Sequence, residues 1–327
     1  MSNRSLQTDF NQTLETPSLQ MSVPLSDKNW FKTGGSARLF AEPTTVQEFQ
    51  HLLSYAQSVE TPFSLIGEGA NLLISDEGFN GLVIRPNLTK IKRLPYDETH
   101  DLVQADAGVK FSDLITWCLD SNLIGLEEFS GIPGTVGGSV FINIHYFEHL
   151  LSTYLVGAQV ITQEDNLIRA VDNAWFNFGY NYSTLHEQTA YLVNATFKLK
   201  KVDTPTAYHA QGRSEEMIRH RLKRYPHAFT CGSFFRNFHP HEVAHLDKKL
   251  IYVAYYLDKI GIKGELSVGG AHVSYQHANM IVNDGTATTS DIIALVRIMQ
   301  SMVQEKFGIL PHPECRLLGF ADYPLLS

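Results

Sequence analysis

The sequence predicts a multidomain protein of mixed α/β and α+β class, and three observations carry that expectation. At 327 residues the chain is longer than one hydrophobic core usually serves, and 43% hydrophobic residues suffice to fill two or three. From Pro24 to about Lys201, short apolar runs of β type alternate with two amphipathic stretches of helical period. After a polar junction at 202–207 (VDTPTA) the pattern changes to three helical stretches around one short strand pattern.

Taken in order, residues 1–21 open with a Ser-, Thr-, Gln- and Asn-rich stretch that has no sustained apolar period, which predicts a flexible tail. A first region follows over 22–202, in two subdomains. Its β runs are ARLFAEP, FSLIGEG, LLISD, GLVIRP, DLVQADAG, YLVGAQVIT and AYLVNATFKLK, which predict much antiparallel or mixed sheet. Its helices are expected at Thr45–Ser58 and Lys110–Ser121, where apolar residues return every three or four positions. The last region, 203–327, is expected to hold helices at Ser214–Arg224, at VAYYLDKIG and at Ser290–Lys306, with Ser290 as N-cap and Asp291 in the first turn. Strand patterns GAHVSY and NMIVN lie between them.

Charge and composition narrow the function. With 26 Lys+Arg against 34 Asp+Glu the net charge is -8, which repels phosphate backbones and anionic lipids, so neither nucleic acid nor a membrane is an expected partner. No apolar run reaches the roughly 20 residues of a membrane span, and the N-terminus lacks a basic-then-apolar signal pattern; a cytoplasmic protein is expected. Cys118, Cys231 and Cys315 are odd in number and unpaired in spacing, and HPHEVAH (239–245) lacks the His-Glu-x-x-His order of a zinc protease, so no metal is expected.

Four segments concentrate chemistry. In IGEGANLLISD (66–76), Gly67 and Gly69 permit a tight turn with amides turned to an anion, although the third glycine and the following helix of a Rossmann turn are missing. FSGIPGTVGGSV (129–140) places four glycines where backbone can lie flat against a planar ligand; an irregular loop is the plain alternative. In TCGSFFRN (230–237), Ser233 is not in a Gly-x-Ser-x-Gly elbow, which argues against a hydrolase. EKFGILPHPECR (305–316) presents Glu314 beside prolines at a helix end.

In this order and at these separations, with KTGGSARL (32–39), AGVKFSDL (107–114) and IKGELSVGGAHVSYQHANMIVN (262–283), the segments resemble the UDP-N-acetylenolpyruvoylglucosamine reductase family from about Trp30 to Phe320. The resemblance implies an FAD-binding region of vanillyl-alcohol-oxidase type, made of two α/β subdomains, followed by a C-terminal α+β substrate domain. It implies FAD as cofactor, NADPH as electron donor and a UDP-sugar substrate, UDP-N-acetylglucosamine-enolpyruvate, reduced to UDP-N-acetylmuramate for peptidoglycan. Gly67, Glu68, Gly69, Ala70, Asn71 and Leu72, with Gly131, Ile132, Pro133, Gly134, Thr135, Gly137 and Gly138, match the flavin-holding loops. Ser233 matches the family's proton donor and Glu314 the glutamate that steadies the enol-like intermediate; Tyr180, Asn181, Arg236 and Asn237 fall in the substrate-binding set.

Two departures stand out. Asn181 occupies the position where the family carries an arginine, and an amide cannot make that side chain's bidentate, charge-assisted contact. After Asn143 the chain reads Ile-His-Tyr-Phe-Glu where the family has small residues and glycines. These departures keep open a second reading, a degenerate flavin-binding paralogue with altered or lost turnover. A third, a flavin enzyme oxidising a small alcohol, has no specific support in the sequence.

Overall fold

A computed structural model describes residues 19–327. The expected flexible tail lies outside the described residues up to 18, but its last positions are ordered. Leu19 is fully buried and strand β1 (Gln20–Pro24) begins at once, because Leu19 and Met21 join a core with Phe49 that the polar composition of the stretch conceals.

The next elements are β2 (Ser36–Ala41), α1 (Val46–Ser58), β3 (Phe63–Leu65), β4 (Leu72–Ile74), β5 (Phe79–Ile84), β6 (Ile91–Pro95), β7 (His100–Asp106), α2 (Phe111–Asp120) and β8 (Leu123–Ile124). After these come α3 (Val136–Phe141), β9 (His145–Tyr146), β10 (His149–Leu150), β11 (Leu155–Thr162), β12 (Ile168–Asp172), β13 (Ala190–Lys201), α4 (Thr204–Arg224) and α5 (Val253–Lys259). The chain closes with β14 (Ser267–Val268), β15 (Ala271–Val273), β16 (Ile281–Asn283), α6 (Thr289–Phe307) and β17 (Arg316–Leu318). Two compact units form. The first holds the described residues up to Met21, Leu39–Glu68 and Gly81–His220; the second holds Ser22–Arg38, Gly69–Asn80 and Arg221–Ser327.

In the first unit an antiparallel sheet runs β12-β11-β13-β7-β6, with β8 added on β13. Ala195, Phe197 and Leu199 of β13 and Val103 and Ala105 of β7 share a core with Phe111, Leu114 and Ile115 of α2. A separate core gathers Phe49, Leu52, Leu53 and Ala56, the apolar face of α1, against Leu82, Ile84, Ile161 and Val193. Thr45 caps α1 in a full capping box with Glu48, so both ends of the sequence signal are used. In the second unit β4 pairs parallel with β17, β14-β15-β16 form an antiparallel meander, and the buried stripe of α6 (Ile292, Leu295, Val296, Met299, Val303) packs with Phe234, Tyr256 and Ile281.

Three expectations about helices are corrected. α4 begins ten residues before Ser214: Asp203 receives the Thr206 amide at 3.0 Å and Pro205 sits in the first turn, where its missing N–H costs nothing. The polar junction is therefore a helix start. The N-cap of α6 is Thr288, boxed with Asp291, while Ser290 lies inside the helix. Part of the glycine-rich segment is helical, since Thr135 caps α3 through the Gly138 amide at 3.2 Å.

Candidate active site

The candidate residues fall in both units, and each set is described within its own. In the first unit, Gly67 approaches Thr135 so closely that a Cβ there would lie 2.6 Å from the Thr135 hydroxyl. Only glycine fits that approach. The Glu68 carboxylate accepts the Gly134 amide at 2.7 Å, tying the two glycine segments together, and Lys110 Nζ stands 3.9 Å from it. Around Gly134 and Gly138 the space is open: a Cβ would meet only Ser139 Oγ at 3.8 Å and Thr135 Oγ1 at 3.6 Å, respectively. Gly131 and Gly134 take φ of 80° and 144°, the region that favours glycine.

From 67 to 71 no backbone N–H meets an acceptor among the described residues. Within the first unit, the unpaired Gly67 and Glu68 amides and the open backbone at Gly134 and Gly138 suit the diphosphate and flat ring of FAD, so the residues present fit that cofactor. Gly69, in the second unit, takes φ 69° and lies so near Lys28 and Asn29 that a Cβ would be 2.3 Å from the Lys28 carbonyl.

Tyr180 and Asn181 form a strained turn of the first unit. Asn181 is left-handed, φ 54°, and both its amide atoms are buried without a hydrogen-bond partner. Tyr180 packs against His145, ring centroids 5.0 Å apart, and burial lowers the His145 pKa, favouring the neutral ring. The altered segment after Asn143 is accommodated as a two-stranded hairpin, β9 with β10, that turns at Phe147 (φ 51°) and leaves this side chain 69% exposed. Asn143 anchors it, donating to the Gly179 carbonyl at 3.2 Å and accepting the Ser152 amide at 3.0 Å.

In the second unit the TCGSFFRN segment runs as extended chain between two others. Ser233 bridges Met280, and Phe235 bridges Pro313, both antiparallel. The Glu314 amide donates to the Phe234 carbonyl at 2.7 Å, which brings the candidate serine and glutamate, 81 residues apart in number, onto adjoining strands. Asn71 extends the link: its carbonyl accepts the Arg316 amide at 3.0 Å and its side chain reaches the Glu314 carbonyl at 3.4 Å. Leu72 then pairs with Arg316 in the β4–β17 ladder. The Ser233 side chain is half-buried and has no hydrogen-bond partner among the described residues.

Arg236 and Asn237 are engaged elsewhere. Arg236 forms a fork on Glu242, Nη1–Oε2 2.8 Å and Nη2–Oε1 2.9 Å, and the Asn237 side chain accepts the Val253 amide at the start of α5 at 3.3 Å. The Arg236 guanidinium, with the His239 amide, holds Glu242 at about 2. Sequence reasoning missed Asn279, 3% exposed, whose amide takes the Phe235 N–H at 3.0 Å and donates to the Phe235 carbonyl at 2.8 Å. It clamps the serine strand by both backbone groups. The one signal was a polar residue inside the NMIVN strand pattern.

Comparison with known proteins agrees with this geometry. Residues 225–318 match the family model "UDP-N-acetylenolpyruvoylglucosamine reductase, C-terminal domain", and residues 37–170 match "FAD binding domain". The UDP-N-acetylenolpyruvoylglucosamine reductase of Latilactobacillus sakei subsp. sakei (strain 23K) is 34% identical over 311 residues, 95% of this chain and 96% of its own. That of Synechococcus sp. (strain RCC307) is 34% identical over 302 residues, 92% of this chain and 94% of its own. The crystal structure of UDP-N-acetylenolpyruvylglucosamine reductase from Thermus caldophilus superimposes with a TM-score of 0.72 at 27% identity, covering 92% of this chain and 98% of that one. This chain therefore belongs to the UDP-N-acetylenolpyruvoylglucosamine reductase family of FAD-binding oxidoreductases.

Proposed function

We propose that this protein reduces the enolpyruvyl group of UDP-N-acetylglucosamine-enolpyruvate to give UDP-N-acetylmuramate, in the cytoplasm and without nucleic acid or membrane partners. The observation that carries the residue roles is the hydrogen bond from the Glu314 amide to the Phe234 carbonyl, which sets Glu314 beside the strand of Ser233. When bound, FAD supplies the hydride equivalent, replenished by NADPH.

Hydride addition at the terminal vinyl carbon leaves electron density on the carbon next to the carboxylate, and that carbon must receive a proton. Ser233 Oγ, with no competing protein partner among the described residues, gives it. A serine is a weak acid at its free pKa, so Glu314 steadies the enol-like charge balance while the proton moves. Asn279 keeps the serine strand in register by holding Phe235 at both its N–H and its carbonyl. Segments 67–72 and 131–138 hold the flavin, and Tyr180 with the unpaired amide of Asn181 contacts the substrate.

Anaerobic single turnover tests this. Flavin reduced by NADPH in Ser233→Ala is expected to form at the parent rate, and its reoxidation by the enolpyruvyl substrate to slow by about 10² to 10⁴, the contribution of a positioned acid. Equal reoxidation in variant and parent removes Ser233 from the reaction.

A further inference from the structure

Asn181 and the segment after Asn143 are the two places where this chain departs from its family, and within the first unit they are packed together. Asn143 donates to the Gly179 carbonyl at 3.2 Å, the Ser183 hydroxyl donates to the Phe141 carbonyl at 2.7 Å, and the His145 and Tyr180 rings stand 5.0 Å apart, tilted by 49°. The turn itself, Gly-Tyr-Asn-Tyr-Ser over 179–183, carries no cation. A substrate carboxylate arriving there meets no opposite charge from the turn, and burying it unpaired is costly.

The hairpin supplies the missing charge. His145 is half-buried in β9, and one of its ring nitrogens donates to the Asn143 carbonyl, which orients the ring and leaves the other nitrogen to take up a proton. Burial pushes the ring below its ordinary pKa, against that carbonyl, so it is neutral near pH 7 until an anion arrives to favour its charge. The titratable groups around it are occupied: His149 of β10 stands 3.8 Å from Glu128, Glu127 takes Arg213 at 2.8 Å, and His186 stacks on Phe141 and Tyr182. Glu148 lies exposed at the hairpin tip, and the tyrosines of both segments are uncharged near pH 7.

We propose that His145 binds the carboxylate of the enolpyruvyl group, pairing with it as an imidazolium beside Tyr180 and Asn181. This rests on the reductase reading above. The proton comes from solvent and enters the second ring nitrogen as the carboxylate docks, so affinity falls as pH rises. One imidazolium matches the single charge of a carboxylate, whereas the diphosphate of the sugar nucleotide carries two and needs several donors.

Calorimetric titration of the flavin-loaded protein with UDP-N-acetylmuramate, which keeps the carboxylate, and with UDP-N-acetylglucosamine, which lacks it, tests the pairing. The first is expected to take up a proton on binding, read from buffers of different ionisation enthalpy, and to weaken by up to about tenfold per pH unit between about pH 6 and about pH 8; the second is expected to do neither. His145→Phe keeps a ring against Tyr180; it should weaken UDP-N-acetylmuramate by about tenfold or more near pH 6 and abolish its proton uptake, with flavin content and UDP-N-acetylglucosamine affinity as in the parent. Proton uptake with both nucleotides or with neither, or unaltered UDP-N-acetylmuramate affinity and uptake in the variant, overturns the proposal and leaves the reductase reading standing. A parent protein that binds neither nucleotide overturns both.

Discussion

The fork between Arg236 and Glu242 yields a quantitative expectation. Glu242 sits at about 2, against an ordinary 4.5, held down first by the Arg236 hydrogen bonds, against burial, and further by the His239 amide at 2.6 Å. At about 1.36 kcal/mol per pH unit, that interval bounds the carboxylate's contribution to folding at about 3.4 kcal/mol. The side chains are 22% and 20% exposed, so solvent screening brings it to about 2 kcal/mol. Because the folded value is the lower one, the contribution is complete above about 4.5 and is lost as pH falls toward 2, about a quarter of it by pH 4. Glu242→Gln is therefore expected to lower the unfolding free energy by about 2 kcal/mol at pH 7 and by about 1.5 at pH 4, read from urea denaturation midpoints with unchanged m. Equal stability of variant and parent at pH 7, or a gap that ignores pH, would refute the reasoning.

Asp76 reaches the N-terminus of α6, its carboxylate accepting the Thr289 and Ser290 amides at 2.8 Å and the Ser290 hydroxyl at 2.7 Å. Burial pushes its pKa up, but these hydrogen bonds outweigh it and leave the group below its ordinary value. Asp76→Ala should cost about 1–2 kcal/mol in thermal or urea unfolding at pH 7, with the gap narrowing in acid; no loss would show that Thr288 suffices as cap. Gly138→Ala adds a methyl that meets no protein atom closer than 3.6 Å, so the flavin-free protein should melt as the parent does while flavin content after purification falls; retained flavin would mean that the glycine surface does not face the cofactor. Asn181→Gly removes two unpaired buried polar atoms and relieves a left-handed φ, so stability should hold or rise while KM for the sugar nucleotide increases. An unchanged KM would take Asn181 out of the substrate site.

Much of this was legible in the chain. The 3.6-residue period of Thr45–Ser58 and the Thr45/Glu48 box specify α1 locally, since cap, first turn and buried face all lie within one short window. The alternation of β7 is equally local, with buried positions at every second residue. Gly67 and Gly134 announced backbone that side chains would obstruct, and the structure supplies the obstruction and the open space, respectively. What misled was composition read without partners. VDTPTA is polar enough for a linker, yet Asp203 and Pro205 are good residues for a helix start. Arg236 directly follows the serine segment, and only the fold shows the carboxylate six residues on that meets it in a fork.

By itself the sequence determined what depends on near neighbours along the chain: helix caps, strand alternation, the glycine turns, and the ordered motifs that place the chain in its family. The tertiary structure decided what depends on partners distant in number. Glu314 lies beside Ser233 because its amide finds the Phe234 carbonyl, Asn279 clamps the serine strand from 44 residues away, and Asp76 caps a helix 213 residues on. Hydrogen-bond satisfaction is a property of the folded arrangement: each donor takes the acceptor that packing brings within reach, and sequence separation carries no information about that distance.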